Sequence, residues 1–386
     1  MSEILVNTIK KADGTGSLTV PAESGTVVTT ASPSLGRRNV LYNGAMAIAQ
    51  RSTSVTGVGN GTAYHTCDRW QILNGLTSAQ FTVEQSSDAP TGFANSFKMT
   101  CTTAEATIDT SEYFFFRQRL EGYDLQGFKK GTSSAESMSV SFWIKSNKTG
   151  DIQVTFREEY NDRQIGQAVS ISAANTWEYK TVVVSGDTTG TIPNSSNADF
   201  SLEFWVDAGS TYSSGSVPTS WEAYSGNTNN RGAGATLNIS DATSNFIAIT
   251  GVQLEVGDTA SSYEHRSFGE ELSLCQRYYE HTYDYGTAQG ASATVGMMRF
   301  HGSTNAGGDM IFPVSFKQVK RATPTMKGYM TDGTADQWYR TRNGVNAAQS
   351  VSFYYTGTNG VCIGSSVGGA WVAANFYGHW YADAEL

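Results

Sequence analysis

The sequence predicts an all-β protein built from more than one folded unit. At 386 residues, the chain exceeds the size of one ordinary domain. Only 16% of its residues are charged, whereas 12% are aromatic and 40 are glycine, a composition that suits packed strands joined by many turns. Short strand-like runs alternate with turns of Gly, Asn, Asp and Ser, without intervening helical periods. These observations favour antiparallel sheets stacked as sandwiches.

Two short β runs and a turn make the first 37 residues a predicted β arm. The runs at 4–9 and 17–20 flank the turn signal at 13–16, and a third run follows at 26–30. Ribbons of this size bury too little surface to be stable alone. The arm at 1–37 therefore needs a larger body, or identical copies of itself, to become ordered.

Residues 38–267 predict an antiparallel sandwich. The run at 139–145 alternates so that Val140, Phe142 and Ile144 share one buried face. Turn residues separate the runs, so neighbouring strands are expected to pair antiparallel. Further strands are predicted at 151–160, 177–184, 200–206, 235–239 and 246–254.

One short helix and a second β-sandwich complete the predicted fold. Residues 268–280 carry apolar side chains at helical spacing and two acids in the first turn, Glu270 and Glu271. This helix is expected to connect the first sandwich to a C-terminal β domain at 281–386. The strands of that domain are predicted at 294–300, 308–314, 324–330, 350–355 and 370–383.

Charge and hydropathy argue against two kinds of partner. The chain carries 26 Lys and Arg against 35 Asp and Glu, so its net charge is −9. Such a protein does not bind nucleic acid or an anionic membrane through bulk electrostatics. Its apolar runs are short, so no membrane insertion is expected. Residues 1–8 lack the basic and apolar regions of a signal peptide.

The cysteines predict free thiols rather than a disulfide framework or a zinc site. They are widely spaced and include no C-x-x-C pair. Isolated cysteines usually pack as small apolar side chains, and free thiols indicate a reducing cytosol. The residues are Cys67, Cys101, Cys275 and Cys362.

The sequence shows no recognisable catalytic or metal-binding constellation. The neighbouring acids Glu158 and Glu159 are predicted to point to opposite faces of a strand, so they cannot flank one glycosidic bond. The five histidines show no metal-ligand spacing, and no Gly-x-Ser-x-Gly or Walker motif occurs. We therefore predict no enzyme activity, catalytic residue, metal or cofactor.

Two aromatic segments are the candidate ligand-binding sites. The first is the stretch at 207–234, which contains Trp221 and Tyr224; the second is Trp338 and Tyr339 beside a predicted hairpin turn. Aromatic rings stack on sugar rings, and neighbouring Asn and Arg side chains can hydrogen bond with hydroxyl groups. The alternative is that these rings pack into a sandwich or a subunit interface.

Several stretches together resemble one family. The segment at 39–53, NVLYNGAMAIAQRST, with DRW at 68–70, is similar to the opening of a jelly-roll module of bacteriophage tail fibre and receptor-binding proteins. The segment ITGVQLEVGD at 249–258 and the run CQRYY at 275–279 resemble the closing strand and exit helix of that module. DGTGSLTVP at 13–21 resembles virion-anchoring arms of phage fibres.

This resemblance implies a structural virion fibre without catalytic activity. The module also resembles carbohydrate-binding jelly rolls, which implies attachment to host surface polysaccharide. The chain is expected to form a homotrimer that assembles in the host cytoplasm and becomes part of the virion. The arm is expected to bind other phage virion proteins, either a tail adaptor or nozzle or the capsid. The residues expected to make this anchor are Ile4, Val6, Ile9, Leu18 and Val20.

Two alternative functions stay open at this point. A head-decorating capsid fibre differs from a tail fibre only in where the arm docks. A polysaccharide depolymerase tailspike usually needs a long β-helix and a pair of inward acids, neither of which the sequence shows. Some carbohydrate-binding jelly rolls hold a structural calcium near their first and last strands, and many such modules carry an acid after the Asn-Gly pair. Here Ala45 occupies that position, so no calcium site is predicted.

Overall fold

The computed structural model of the protein is built almost entirely from antiparallel strands. It describes residues 8–10, 17–19, 37–224, 228–304, 309–366 and 371–386. The chain divides into two compact units, Met1–Arg37 and Arg38–Leu386. Every described strand pairing is antiparallel, which confirms the prediction of an all-β sandwich protein. No helix among the described residues is long and apolar enough to cross a membrane.

The first unit contains a short hairpin. Its strands β1 (Thr8–Lys10) and β2 (Ser17–Thr19) pair with Ile9 opposite Leu18. Both strands overlap predicted runs. Their pairing places two of the predicted anchoring residues, Ile9 and Leu18, opposite each other. The predicted run at 26–30 lies outside the described residues. The remaining anchoring residues also lie outside them and are Ile4, Val6 and Val20.

The second unit begins with a β-sandwich. Its strands, in chain order, are β3 (Ser54–Val58), β4 (Gly61–Tyr64), β5 (Gln71–Asn74), β6 (Gln80–Ser86), β7 (Ser96–Thr103), β8 (Tyr113–Glu121), β9 (Met138–Ser146), β10 (Gly150–Glu158), β11 (Arg163–Ile171), β12 (Glu178–Val184), β13 (Ala198–Ala208), β14 (Glu222–Ala223) and β15 (Phe246–Val256). Sheet A has seven strands in the order β14-β11-β10-β13-β8-β5-β4. Sheet B has six in the order β12-β9-β15-β7-β6-β3.

Alternating side chains from both sheets fill the core of this sandwich. Val140, Phe142 and Ile144 of β9 are fully buried, as the sequence predicts. From sheet A, the ring of Phe204 lies edge-on to Phe142 with 5.2 Å between centroids. The indole of Trp70 lies 6.1 Å from Phe204. The side chains on the outer face of each strand therefore do not contribute to this core.

The helices are short and lie between strands. The hydroxyl of Ser267 accepts a hydrogen bond from the backbone N–H of Glu270 and so caps the N-terminus of the helix at Phe268–Gln276. That helix ends four residues before the predicted end of the 268–280 helix, because the chain turns there into a strand that begins at Tyr279. The α-helices are α1 (Ser210–Ser213) and α2 (Phe268–Gln276), and the 3-10 helices are Gly122–Phe128, Thr228–Asn230 and Ile239–Asp241.

The strand predicted at 235–239 is wrong. This segment is a loop that ends in the 3-10 helix Ile239–Asp241. The buried Asp207 carboxylate accepts the N–H groups of Ile239 and Ser240 at 2.9 and 3.2 Å, so these donors stabilise a loop instead of a sheet ladder. Burial raises the pKa of Asp207 to about 6, although these hydrogen bonds favour its charged form.

Two further sheets form the C-terminal part of the second unit. Their strands are β16 (Tyr279–His281), β17 (Met298–Thr304), β18 (Asp309–Ser315), β19 (Thr325–Tyr329), β20 (Gln337–Arg342), β21 (Val345–Ser350), β22 (Ser352–Tyr354), β23 (Gly360–Ser366) and β24 (Trp371–Asp383). Sheet C has the order β16-β24-β20-β21, and β17 and β19 also pair with β24. Sheet D has the order β18-β23-β22. Each strand predicted in this region overlaps an observed one.

The β20–β21 hairpin follows the turn that the sequence predicts. Asn343 and Gly344 have φ values of 50° and 77°. A two-residue turn with both φ values positive matches the right-handed twist of the flanking strands, and Asn-Gly adopts it most readily.

The segments that resemble the opening and exit of a phage module join the sandwich to the C-terminal strands. Arg277 donates two hydrogen bonds to Glu121, at 2.8 and 2.6 Å, and Tyr278 donates a third at 2.5 Å. Arg69 forms an ion pair with Glu385 and lies 3.5 Å from the ring of Tyr278. The predicted domain boundaries after residues 267 and 280 lie inside this one compact unit.

Candidate functional site

The first predicted ligand-binding residue, Trp221, covers a buried ion cluster. Its half-buried ring lies 3.6 Å from Nζ of Lys130, and its Nε1–H donates to the Ser185 carbonyl at 2.7 Å. Lys130 is itself buried between Glu158 and Asp187, at 3.4 and 3.7 Å. The indole therefore packs onto the sandwich with part of its surface left accessible, and ligand binding by Trp221 stays a prediction.

The side chain of Tyr224 is likewise in contact with neighbouring residues, the arginines Arg157 and Arg231. Its half-buried ring lies 4.0 Å from the guanidinium of Arg157 and 4.9 Å from that of Arg231, and its hydroxyl accepts from Arg231 at 2.7 Å. Arg231 also bonds the buried Glu203. Burial alone would raise the pKa of Glu203, but Arg231 and the neighbouring arginines lower it to about 2. Tyr224 and Arg231 are thus held against sheet A by Arg157 and Glu203 respectively.

Trp338 is a core residue, so its predicted role as an exposed sugar contact is wrong. Its side chain is 0% exposed, and its Nε1–H donates to the His379 carbonyl at 2.8 Å. It lies in β20, where alternation turns Tyr339 to the opposite face. Tyr339 is half-buried and stacks on Tyr377 with 5.6 Å between ring centroids. Of the predicted pair, only Tyr339 faces outward.

A surface that the sequence analysis missed lies on the outer face of sheet B. The inward direction of Val140, Phe142 and Ile144 turns Trp143 and Lys145 outward. Strand β12 pairs with β9 so that Tyr179 lies directly opposite Trp143. Trp177 comes immediately before β12 and shares the outward direction of Tyr179. Trp143, Trp177 and Tyr179 are named the aromatic platform.

The platform presents rings to solvent beside a charged pair. The centroids of Trp143 and Tyr179 are 5.4 Å apart, their planes are inclined by 53°, and Tyr179 is 46% exposed. Asp88 accepts from Nε1 of Trp177 at 3.1 Å and from Nζ of Lys145 at 2.8 Å. Burial alone would raise the pKa of Asp88, but these hydrogen bonds hold it below its ordinary value.

The platform lies at one end of the outer face of sheet B, and the other end is covered by a neighbouring segment of the chain. At the opposite end, the buried Gln253 and Glu255 of β15 accept hydrogen bonds from Glu264 and Ser261 of the segment that follows. That segment covers the sheet there, whereas at the platform end Tyr179 is exposed and both tryptophans are half-buried. Flat apolar faces next to hydrogen-bonding groups suit a ligand with both apolar faces and hydroxyl edges, as a sugar ring has.

The neighbouring acids Glu158 and Glu159 both take part in ion pairs within the sandwich. Glu158 faces Lys130, whereas Glu159 pairs with Arg117 at 3.3 Å and with Arg119. This confirms that the two neighbouring carboxylates point in different directions. The four cysteines are free, and burial raises the pKa of Cys275 well above its ordinary value. Within the described ranges, no group of three or more His, Cys, Asp or Glu is arranged to hold a metal ion.

Comparison with known proteins found no matching family model and no matching curated protein. Among solved structures, the enzymatically active domain of bacteriophage CBA120 tailspike protein 4 is similar with a TM-score of 0.29 and 13% identity, over 56% of this chain and 21% of that one. The TmCBM61 module in complex with β-1,4-galactotriose gives 0.26 and 10%, over 57% and 99%. The family 11 carbohydrate-binding module of Lic26A-Cel5E from Clostridium thermocellum gives 0.26 and 11%, over 53% and 99%. These similarities are too weak to assign a family.

Proposed function

We propose that this chain is a non-catalytic carbohydrate-binding protein whose aromatic platform contacts the saccharide. The observation that carries the proposal is the cluster of two half-buried tryptophans and one exposed tyrosine on the outer face of sheet B, beside the Lys145–Asp88 pair. Sugar rings stack on the indole and phenol faces, while the charged pair exchanges hydrogen bonds with hydroxyl groups. Single sites of this kind bind weakly, and several copies in one assembly raise the avidity about 10²-fold or more.

Removing the indole of Trp143 or Trp177 is expected to weaken saccharide binding about tenfold or more, or about 1.4 kcal/mol, because stacking supplies most of the affinity. The measurement is affinity electrophoresis of Trp143→Ala and Trp177→Ala in gels that contain xylan, mixed-linkage glucan, galactan or a bacterial capsular polysaccharide. The unfolding temperature is expected to stay nearly unchanged, because neither ring belongs to the sandwich core.

A pair of tyrosine variants provides the matched control for that experiment. Tyr179 on the platform is 46% exposed, and Tyr160 at a distant turn is 58% exposed. Tyr179→Ala is expected to weaken binding, whereas Tyr160→Ala is not. Equal effects of the two variants would contradict the proposal, as would a change of oligomeric state in Trp143→Ala without loss of binding. New reducing ends in the polysaccharide would favour a depolymerase instead.

We further propose that the protein is a trimeric virion fibre whose arm at 1–37 anchors it. The resemblance of the segments at 39–53, 249–258 and 13–21 to phage fibre modules and arms supports this role. So does the small size of the β1–β2 hairpin, which buries too little surface to be stable by itself.

Deleting residues 1–37 is expected to leave the second unit folded while assembled phage particles lose the protein. The readouts are circular dichroism of the truncated chain and immunoblotting of purified particles. Particles that incorporate the truncated chain at the normal level would show that the arm is not the anchor.

A further inference from the structure

We infer that the outer face of sheet C is a second saccharide-binding surface, one that selects sugars carrying a carboxylate. It is formed by strands β17, β24, β20 and β21, whereas the platform belongs to β9 and β12 of sheet B. The inference rests on the proposed function only for the ligand class, carbohydrate.

Antiparallel register aligns two rows of side chains across these four strands. The first row is Arg299, Tyr377, Tyr339 and Ala348, and the second is His301, Asn375, Thr341 and Asn346. Residues that alternate with these rows fill the core beneath the sheet, notably Phe300, Phe376 and Trp338. Because the core is supplied by the opposite face, the two rows are available for contacts outside the chain.

The two tyrosines form a broad stacking surface. Tyr339 and Tyr377 lie side by side, with 5.6 Å between centroids and planes inclined by 30°, and both are half-buried. Since packing holds the rings in place, a sugar that stacks on them costs little further side-chain entropy. The hydroxyl of Tyr339 donates to Asp332 at 2.9 Å, so Asp332 lies at the Tyr339 end of the row.

The opposite end of the row carries an available cation. Arg299 is exposed, and its guanidinium carbon lies 5.6 Å from the ring centroid of Tyr377. In the described part of the chain, Arg299 forms no ion pair. His301 of the neighbouring row is also exposed, with Nδ1 3.3 Å from Oδ1 of Asn375.

These groups fit a sugar ring that carries a carboxylate, such as a hexuronate unit of an acidic polysaccharide. The ring would stack on Tyr377 and Tyr339, and its carboxylate would accept two parallel hydrogen bonds from Arg299. The amide of Asn375 and the hydroxyl of Thr341 offer donors and acceptors for the sugar hydroxyls. A neutral sugar would leave Arg299 without a partner, which is the basis of the selectivity.

The test compares acidic chains with their neutral methyl esters, using polygalacturonate, alginate and C6-oxidised cello-oligosaccharides as probes. The intact chain is expected to bind at least one acidic probe about tenfold more tightly than its ester by isothermal titration calorimetry. Arg299→Ala is expected to remove this difference. Arg342→Ala is the matched control, because Arg342 is exposed at the end of β20, the strand of Tyr339, and alternation turns it to the other face of the sheet.

The outcomes separate this inference from the proposed function. Trp143→Ala is expected to leave acidic-probe binding unchanged, and Arg299→Ala is expected to leave neutral polysaccharide binding at the platform unchanged. Binding of acid and ester with equal affinity overturns the inference, as does an equal loss in Arg299→Ala and Arg342→Ala, which would reveal nonspecific attraction. Failure of the intact chain to bind any of the acidic probes overturns it as well.

Discussion

Replacing Glu385 with alanine is expected to lower the free energy of unfolding by about 3–5 kcal/mol, because it leaves the buried Arg69 without its carboxylate partner. Glu385 forms ion pairs with Arg69 and, at 3.4 Å, with Arg51. All three side chains are almost entirely buried. Chemical denaturation followed by far-UV circular dichroism measures the change.

The charge on these arginines explains the size of the effect. Burial alone would lower the pKa of Arg69 and of Arg51, yet neighbouring carboxylates hold both values above their ordinary range, with Glu385 the largest contributor for Arg69. Because a guanidinium group does not lose its proton in proteins, both groups stay charged when Glu385 is truncated. Arg51 keeps Asp383 at 3.1 Å, whereas Arg69 loses its carboxylate partner.

Two comparisons test whether burial of the charge is the cause. Glu136→Ala removes the same carboxylate from a pair with Lys129 in which the side chains are 35% and 54% exposed, and is expected to cost at most about 1 kcal/mol. Replacing Arg69 and Glu385 together by methionine is expected to recover much of the lost stability. A cost for Glu385→Ala no larger than that for Glu136→Ala would show that the buried pair is not important for stability.

The sandwich could be predicted because its signals are local in sequence. The alternation around Phe142 determines which side chains of β9 enter the core, and Asn343-Gly344 determines the hairpin turn. The apolar residues at 235–239 predict a strand, yet they belong to a loop that also packs on the core. The segment forms a loop because the carboxylate of Asp207, in the distant strand β13, accepts hydrogen bonds from the N–H groups of Ile239 and Ser240.

The candidate site could not be predicted because it depends on pairing between distant segments. Alternation alone turns Trp143 outward, but only the register of β9 with β12 brings Tyr179 opposite it. Trp221 shows the converse: its Gly, Ser and Thr-rich surroundings suggest exposure, yet the buried Lys130 beneath it accounts for its position. Composition shows only which residues are near an aromatic ring in sequence. The register of the paired strands determines which residues are near it in the folded protein.

Replacing Trp338 with alanine is expected to cost about 3–5 kcal/mol of stability in the C-terminal sheets. The indole lies 5.0 Å from the ring of Phe376 and fills the core between sheets C and D. A Cβ added to Gly378 would lie 2.5 Å from the indole and 2.6 Å from a backbone oxygen of Tyr329, so glycine at this position makes room for the ring. Truncation leaves this space empty and removes the donor to the His379 carbonyl.

The neighbour Tyr339 separates loss of the core from loss of a binding contact. Tyr339→Ala removes a half-buried ring whose packing partner is Tyr377, so it is expected to cost at most about 1.5 kcal/mol. Trp338→Phe keeps most of the ring and is expected to fall between the two alanine variants. If Trp338→Ala unfolds at the same denaturant concentration as Tyr339→Ala, the indole does not support the core, because an empty space of its size cannot be left in a packed sheet interface without a measurable loss of stability.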